Sequence, residues 1–334
     1  ANDVVINTSG AITTTGINTS ASLVLTPGSA PATTEGAMYY DSTTNMVTLY
    51  NGVQWVQITN SSSGGVITTY DSGGNTYLVH TFLTSGVFTP SSSFNVDYLV
   101  IAGGGSGGGQ HGGGGGAGGF KTGTALAVTA QAYTITVGAG GTDINGSESP
   151  NNGYNGSNSV FSTVTSTGGG GGQGWAVGSG LTAASGGSGG GASLNGTGGS
   201  AIPSGQGYSG GGSSNSSPYP VGGGGGGGSS GQGESSHTLS KAGDGGDGTA
   251  NSYRTGSPVT YAGGGGGGSH ASHAIGLGGS GGGGNGGLGN DGGEGAHSPV
   301  DGGVNTGSGG GGSGSNTTLS GAGGSGIVII RYTI

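Results

Sequence analysis

Apolar residues along this chain come in short clusters that alternate by two, and no stretch shows a stripe returning every three to four residues. Tyr133-Thr134-Ile135-Thr136-Val137 is the plainest case, with the pattern of a half-buried strand. Similar clusters at 66–70, 77–83, 87–89, 96–102, 126–128, 160–164, 259–262 and 327–330 predict further strands. Turn residues at 71–75, at Ser85-Gly86 and at 90–93 separate the earlier ones. The glycine-free stretches 37–51 and 124–137 are rich in Thr, Tyr and Val, so helix is excluded and the class is all-β.

The first sixty residues have a different texture. Val4-Val5-Ile6, Ala11-Ile12, Ile17 and Leu23-Val24-Leu25 are β-favouring clusters set among Thr, Ser and Asn, with no core of their own. A tighter unit follows over 37–58. Asn51-Gly52 between alternating runs predicts a two-residue hairpin turn, because a type I′ turn needs positive φ at both positions. Val53, Trp55 and Ile58 then mark one face of a strand. The predicted organisation is an extended segment at 1–30, a small β-meander at 31–62 and a glycine-rich β domain at 63–334.

Glycine occupies 96 of the 334 positions, and charged residues make up only 5 %. Four basic residues cannot neutralise a phosphate backbone, which excludes nucleic acid as a partner. No apolar run is long enough to insert as a membrane-spanning helix. The absence of cysteine rules out disulfides, thiolate metal sites and cysteine nucleophiles. Unbroken runs such as 222–228 have no collagen period. The recurring Val, Ile, Thr and Tyr clusters, with a net charge of only −9, favour an ordered scaffold over a disordered linker.

Ordering each glycine costs about 1–2 kcal/mol of backbone entropy without side-chain burial in return. Rigid glycine tracts must therefore satisfy their amides against neighbouring backbone. Left-handed polyglycine II chains packed side by side do this, with Cα–H···O contacts that only glycine permits at such closeness. The expected fold is a β-sandwich, jelly-roll-like, whose long loops are packed polyglycine excursions.

Several motifs together resemble a known family. They are Tyr77-Leu-Val-His-Thr-Phe82, Val96-Asp-Tyr-Leu-Val-Ile101 before its glycine run, Tyr133-Thr-Ile-Thr-Val137, Val259-Thr-Tyr-Ala262 and the closing Ser325-Gly-Ile-Val-Ile-Ile-Arg331-Tyr332. Their ordered series resembles a glycine-rich domain family found in bacteriophage tail-fibre and receptor-binding proteins and in secreted bacterial surface proteins. Residues 31–58 separately look like a small hairpin module of phage fibres and appendages. The resemblance implies a structural or adhesive role and supplies no catalytic residues.

The chemistry-bearing residues agree with that. His270 and His273 have a metal-like spacing but no third ligand in the sequence nearby, so they read as a pair of exposed loop histidines. Asp244 and Asp247 faintly resemble a glycine–aspartate calcium turn, without the repeat that would support one. Gly-x-Gly-x-x-Gly strings follow from composition alone. His80, mid-strand beside Phe82, reads as a packed, hydrogen-bonded histidine. No catalytic residue, metal site or cofactor is expected, and the chain does not read as an enzyme. Trp175, Tyr208, Tyr219 and Tyr253 stand in glycine-rich loops, where they either meet sugars or another subunit, or pin the loops down.

The opening Ala1-Asn2-Asp3, with no leader-like run, fits a mature secreted chain. The leading expectation is a structural subunit of an extracellular filament, a homopolymer built by strand addition. Val4, Val5, Ile6, Ile12, Ile17, Leu23, Val24 and Leu25 would join a neighbour's sheet edge. The competing expectation is a phage tail-fibre tip or adhesin, a homotrimer binding cell-surface glycans through its glycine-rich loops.

Overall fold

A computed structural model describes residues 62–145, 151–175, 180–214, 222–236, 240–270, 273–289, 297–315 and 319–334, with the strands of the N-terminal part and Val53. The chain divides into two compact units, Ala1–Ser61 and Ser62–Ile334. The assembly candidates Val4, Val5, Ile6, Ile12, Ile17, Leu23, Val24 and Leu25 lie outside the described residues.

In the first unit β1 (Pro27–Gly28), β2 (Met38–Asp41), β3 (Met46–Tyr50) and β4 (Trp55–Ile58) form one sheet in that order. The expected meander is β2–β4, with β1 added in parallel. One detail differs. Tyr50 pairs with Trp55, so four residues join β3 to β4 instead of a two-residue Asn51-Gly52 turn, and Val53 lies 84 % exposed outside the strand. This register sets Leu49 against Val56 and Val47 against Ile58, matching apolar positions that a two-residue turn would offset.

The second unit is built on two antiparallel sheets. The larger has the order β5 (Val66–Ser72), β6 (Asn75–Phe82), β15 (Ile327–Thr333), β8 (Phe94–Ile101), β9 (Phe120–Val128). The smaller has the order β12 (Val164–Ser166), β11 (Ser159–Phe161), β10 (Tyr133–Thr136), β7 (Gly86–Phe88). A short hairpin, β13 (Thr249–Asn251) with β14 (Val259–Tyr261), completes the set. The 160–164 cluster is a hairpin of two strands, turned at Ser162 with φ +53°.

The last strand to be made sits in the middle of the larger sheet, between β6 and β8. That position explains its continuous apolar run. Val328 and Ile330 join Phe82, Val96 and Val100 against Phe88, Ile135 and Phe161 of the smaller sheet. Ile327 and Ile329 point the other way, packing with Val79, Leu99 and Ile101 against Tyr261, Ala117 and Ala262. The two alanines belong to glycine tracts, so the larger sheet is covered on one face by the second sheet and on the other by the base of the glycine-rich region.

That region is a bundle of extended tracts held chiefly by main-chain hydrogen bonds. In tract 103–109 the amides turn to three neighbours in rotation. Gly103, Ser106 and Gly109 donate to Ser157, Tyr154 and Asn151; Gly104 and Gly107 donate to Gly324 and Gly321; Gly105 and Gly108 donate to Gly116 and Gly113. Its carbonyls accept from three more, among them Gly169 and Gly172, Gly310 and Ser313, and Gly141. A repeat of three residues with six neighbours is the packing expected for polyglycine II. The closeness demands glycine. A methyl group on Gly113 would lie 2.0 Å from the Gly191 carbonyl oxygen, and one on Gly226 equally near that of Gly115.

Side chains at the same three-residue interval supply further acceptors. Asn152, Asn155 and Asn158 accept from the amides of Gly174, Gly171 and Gly168 at 2.8–2.9 Å. Asp244 and Asp247 do the same for Leu277 and Ser280.

Candidate functional site

Tract 103–109 leaves the sheets directly after β8, and tract 112–119 returns directly into β9. The turn between them is therefore the point of this excursion most remote from the larger sheet. Seven residues at about 3.1 Å each place it roughly 20 Å out. Gln110 and His111 make this turn with φ of 47° and 49°, values that side chains other than glycine seldom adopt.

His111 is nearly enclosed there. Its ring meets the Trp175 indole edge-on at 5.5 Å between centroids and lies 5.1 Å from the His270 ring. Trp175 ends the tract 168–174, and its amide donates to the Gly109 carbonyl. His270 follows the tract 263–268, whose Gly268 amide donates to the Gly112 carbonyl. His273 lies 6.4 Å beyond His270, across a turn closed by the His273 amide and the His270 carbonyl. Ser193 adds a hydroxyl bond to the His111 carbonyl at 3.0 Å. Three tract ends, distant in sequence, thus assemble an indole and three imidazoles on one end of the bundle.

His270 and His273 are half-buried members of this cluster, where the sequence reads them as exposed. Among the described residues, no group of three or more His, Asp or Glu side chains is arranged to hold a metal ion. Asp244 and Asp247 are engaged as amide acceptors, and Asp244 also pairs with Lys241 at 2.5 Å. The Ser280 hydroxyl and amide both donate to Asp247 and hold its carboxyl below the usual range.

Of the other aromatic candidates, Tyr208 and Tyr253 do not join this cluster. Tyr208 stands half-exposed where its tract begins, its amide bonded to the Gly228 carbonyl. Tyr253 packs over the larger sheet, its ring stacked on Arg331 at 3.7 Å, so it pins the β13–β14 connection. Tyr219 falls outside the described residues. His80 is fully buried. The Gly64 carbonyl can only accept, so Nδ1 of His80 carries the proton at 2.7 Å, and Nε2 faces the Tyr332 hydroxyl at 3.3 Å. Sequence reasoning missed His111, whose signal is a pair of bulky residues, Gln110-His111, interrupting two glycine runs.

The fold and this tip define an all-β domain carrying a polyglycine bundle. The chain belongs to the glycine-rich domain family, whose model matches residues 81–333, about three quarters of its length. No curated protein matches the chain.

Proposed function

We propose that the chain is a non-catalytic structural component of an extracellular fibre, and that its bundle carries a recognition tip for cell-surface glycans. The observation behind this reading is the convergence of Trp175, His111 and His270 at the far turn of the 103–119 excursion, on a scaffold held chiefly by main-chain hydrogen bonds. An indole offers an apolar face to a sugar ring, and the half-buried imidazoles of His270 and His273 nearby carry ring nitrogens of the kind that exchange hydrogen bonds with hydroxyls. The sparse charge favours neutral sugars over acidic ones. Display on a glycan array tests it. Wild-type protein should select a set of neutral glycans, and Trp175→Ala should lose at least about tenfold in affinity with unchanged thermal stability. No selective binding, or binding indifferent to Trp175, refutes it.

The second reading is a filament subunit that polymerises as a homopolymer through strand addition from residues 1–30. The open edge of β5, exposed along nearly its whole length, favours it. Electron micrographs of the purified chain separate open-ended polymers from the discrete trimer that a fibre tip would form.

A further inference from the structure

The larger sheet has two edges treated in opposite ways. The β9 edge carries Lys121, and a register shift between Val96 and Tyr98 with Ala125 at φ +56° breaks its line. Bulges and lysines of this kind keep foreign strands from pairing. The β5 edge has neither. Val66-Ile-Thr-Thr-Tyr-Asp-Ser72 pairs with β6 in unbroken register, contains no lysine or proline, and exposes Val66 by 58 % and Ile67 by 45 %. Its hairpin closes at Ser72–Asn75 around Gly73-Gly74. The alternation of bonded and non-bonded pairs turns Val66, Thr68 and Tyr70 toward β6, leaving the amides and carbonyls of Ile67, Thr69 and Asp71 facing outward. Beside this edge runs a shallow apolar cleft lined by Val66, Thr81, Leu83 and Arg254.

We infer that the β5 edge is the acceptor for an extended segment of a second copy of this chain, and that Leu23-Val24-Leu25 of that copy supplies the added strand. The segment suits the edge chemically. Residues 1–26 hold one charged side chain, Asp3, and their apolar clusters favour extended backbone. Outward main-chain groups give such a strand its hydrogen bonds, and the cleft beside Val66 and Leu83 takes the leucines that alternate toward it. The donor half rests on the filament reading above; the acceptor half rests on the edge itself.

Thr69→Pro tests the acceptor. Its amide faces outward, so proline removes no bond to β6 yet blocks a strand arriving from outside. The full-length variant should keep its thermal stability and lose polymers in sedimentation and electron microscopy. A second test does not depend on that variant folding. The chain has no cysteine, so separate full-length preparations of Val24→Cys and Thr69→Cys, mixed under copper–phenanthroline oxidation, report one contact. An interchain cross-linked dimer of the two preparations is expected, and Lys121→Cys in place of Thr69→Cys should give none. Polymers that survive Thr69→Pro, with no cross-link, overturn the β5 assignment while leaving the filament reading intact. Cross-links between copies without long polymers uphold the acceptor and sink the filament. A disulfide confined to single chains carrying both cysteines means the segment folds back, which also overturns the inference.

Discussion

The guanidinium of Arg331 is held between two rings, 3.7 Å from the centre of Tyr253 and 4.4 Å from that of Tyr77. It also pairs with Asp97 at 3.0 Å and donates to the Tyr70 hydroxyl at 2.6 Å. One side chain therefore ties β15 to β5, β6 and β8 and clamps the 252–258 connection over them. Arg331→Lys keeps the charge but loses the planar stack and the forked donors. It should lower stability by about 2 kcal/mol, read by chemical denaturation.

The bundle makes a sharper prediction. Gly113→Ala drives a methyl into the Gly191 carbonyl and should cost about 3 kcal/mol. Gly212→Ala, with its nearest atom 3.3 Å away, should cost under about 1 kcal/mol. Denaturation curves of the two variants make the comparison. Amides within 103–119 should exchange slowly with solvent in the wild type. Fast exchange there would mean the tracts are not packed.

Register gives a third. With three residues per turn, deleting Gly114 alone rotates every later amide of its tract by about 120° toward the wrong neighbour. Deleting 113–115 restores the rotation. The larger deletion should therefore leave the higher melting temperature, an ordering that differential scanning calorimetry can reverse or uphold.

Burial holds His80 below its ordinary value, against the smaller opposing effect of its bond to Gly64. The folded protein then binds fewer protons at this site than the unfolded chain. Its contribution to stability is complete above about pH 6.5 and falls as pH drops through the folded value. Between pH 7 and 5 the wild type should lose more stability than His80→Gln, measured by urea denaturation at each pH.

The strands were legible wherever side chains alternate, and the continuous run in β15 marks a strand buried on both faces. The first half of β9 was hidden because Gly123 reads as a breaker. There it makes room for the Tyr98 side chain, whose hydroxyl a methyl would approach to 2.5 Å. That glycine tracts must pack on one another followed from the cost of ordering them, but their partners did not, since one glycine run is like another. The three-residue ladder was in plain sight at Asn152, Asn155 and Asn158, and its second instance at Asp244 and Asp247 resembled a cation turn. Trp175 was legible as a loop aromatic without a core. Its partnership with His111 and His270 was not, because only the folded tracts bring them together.

A scaffold fastened through peptide groups makes few demands on the identity of whatever joins an outgoing tract to a returning one. New sequences can be grafted at those junctions without renegotiating the interior. The same body can thus carry a succession of different faces, changing what it meets while its own architecture stays fixed.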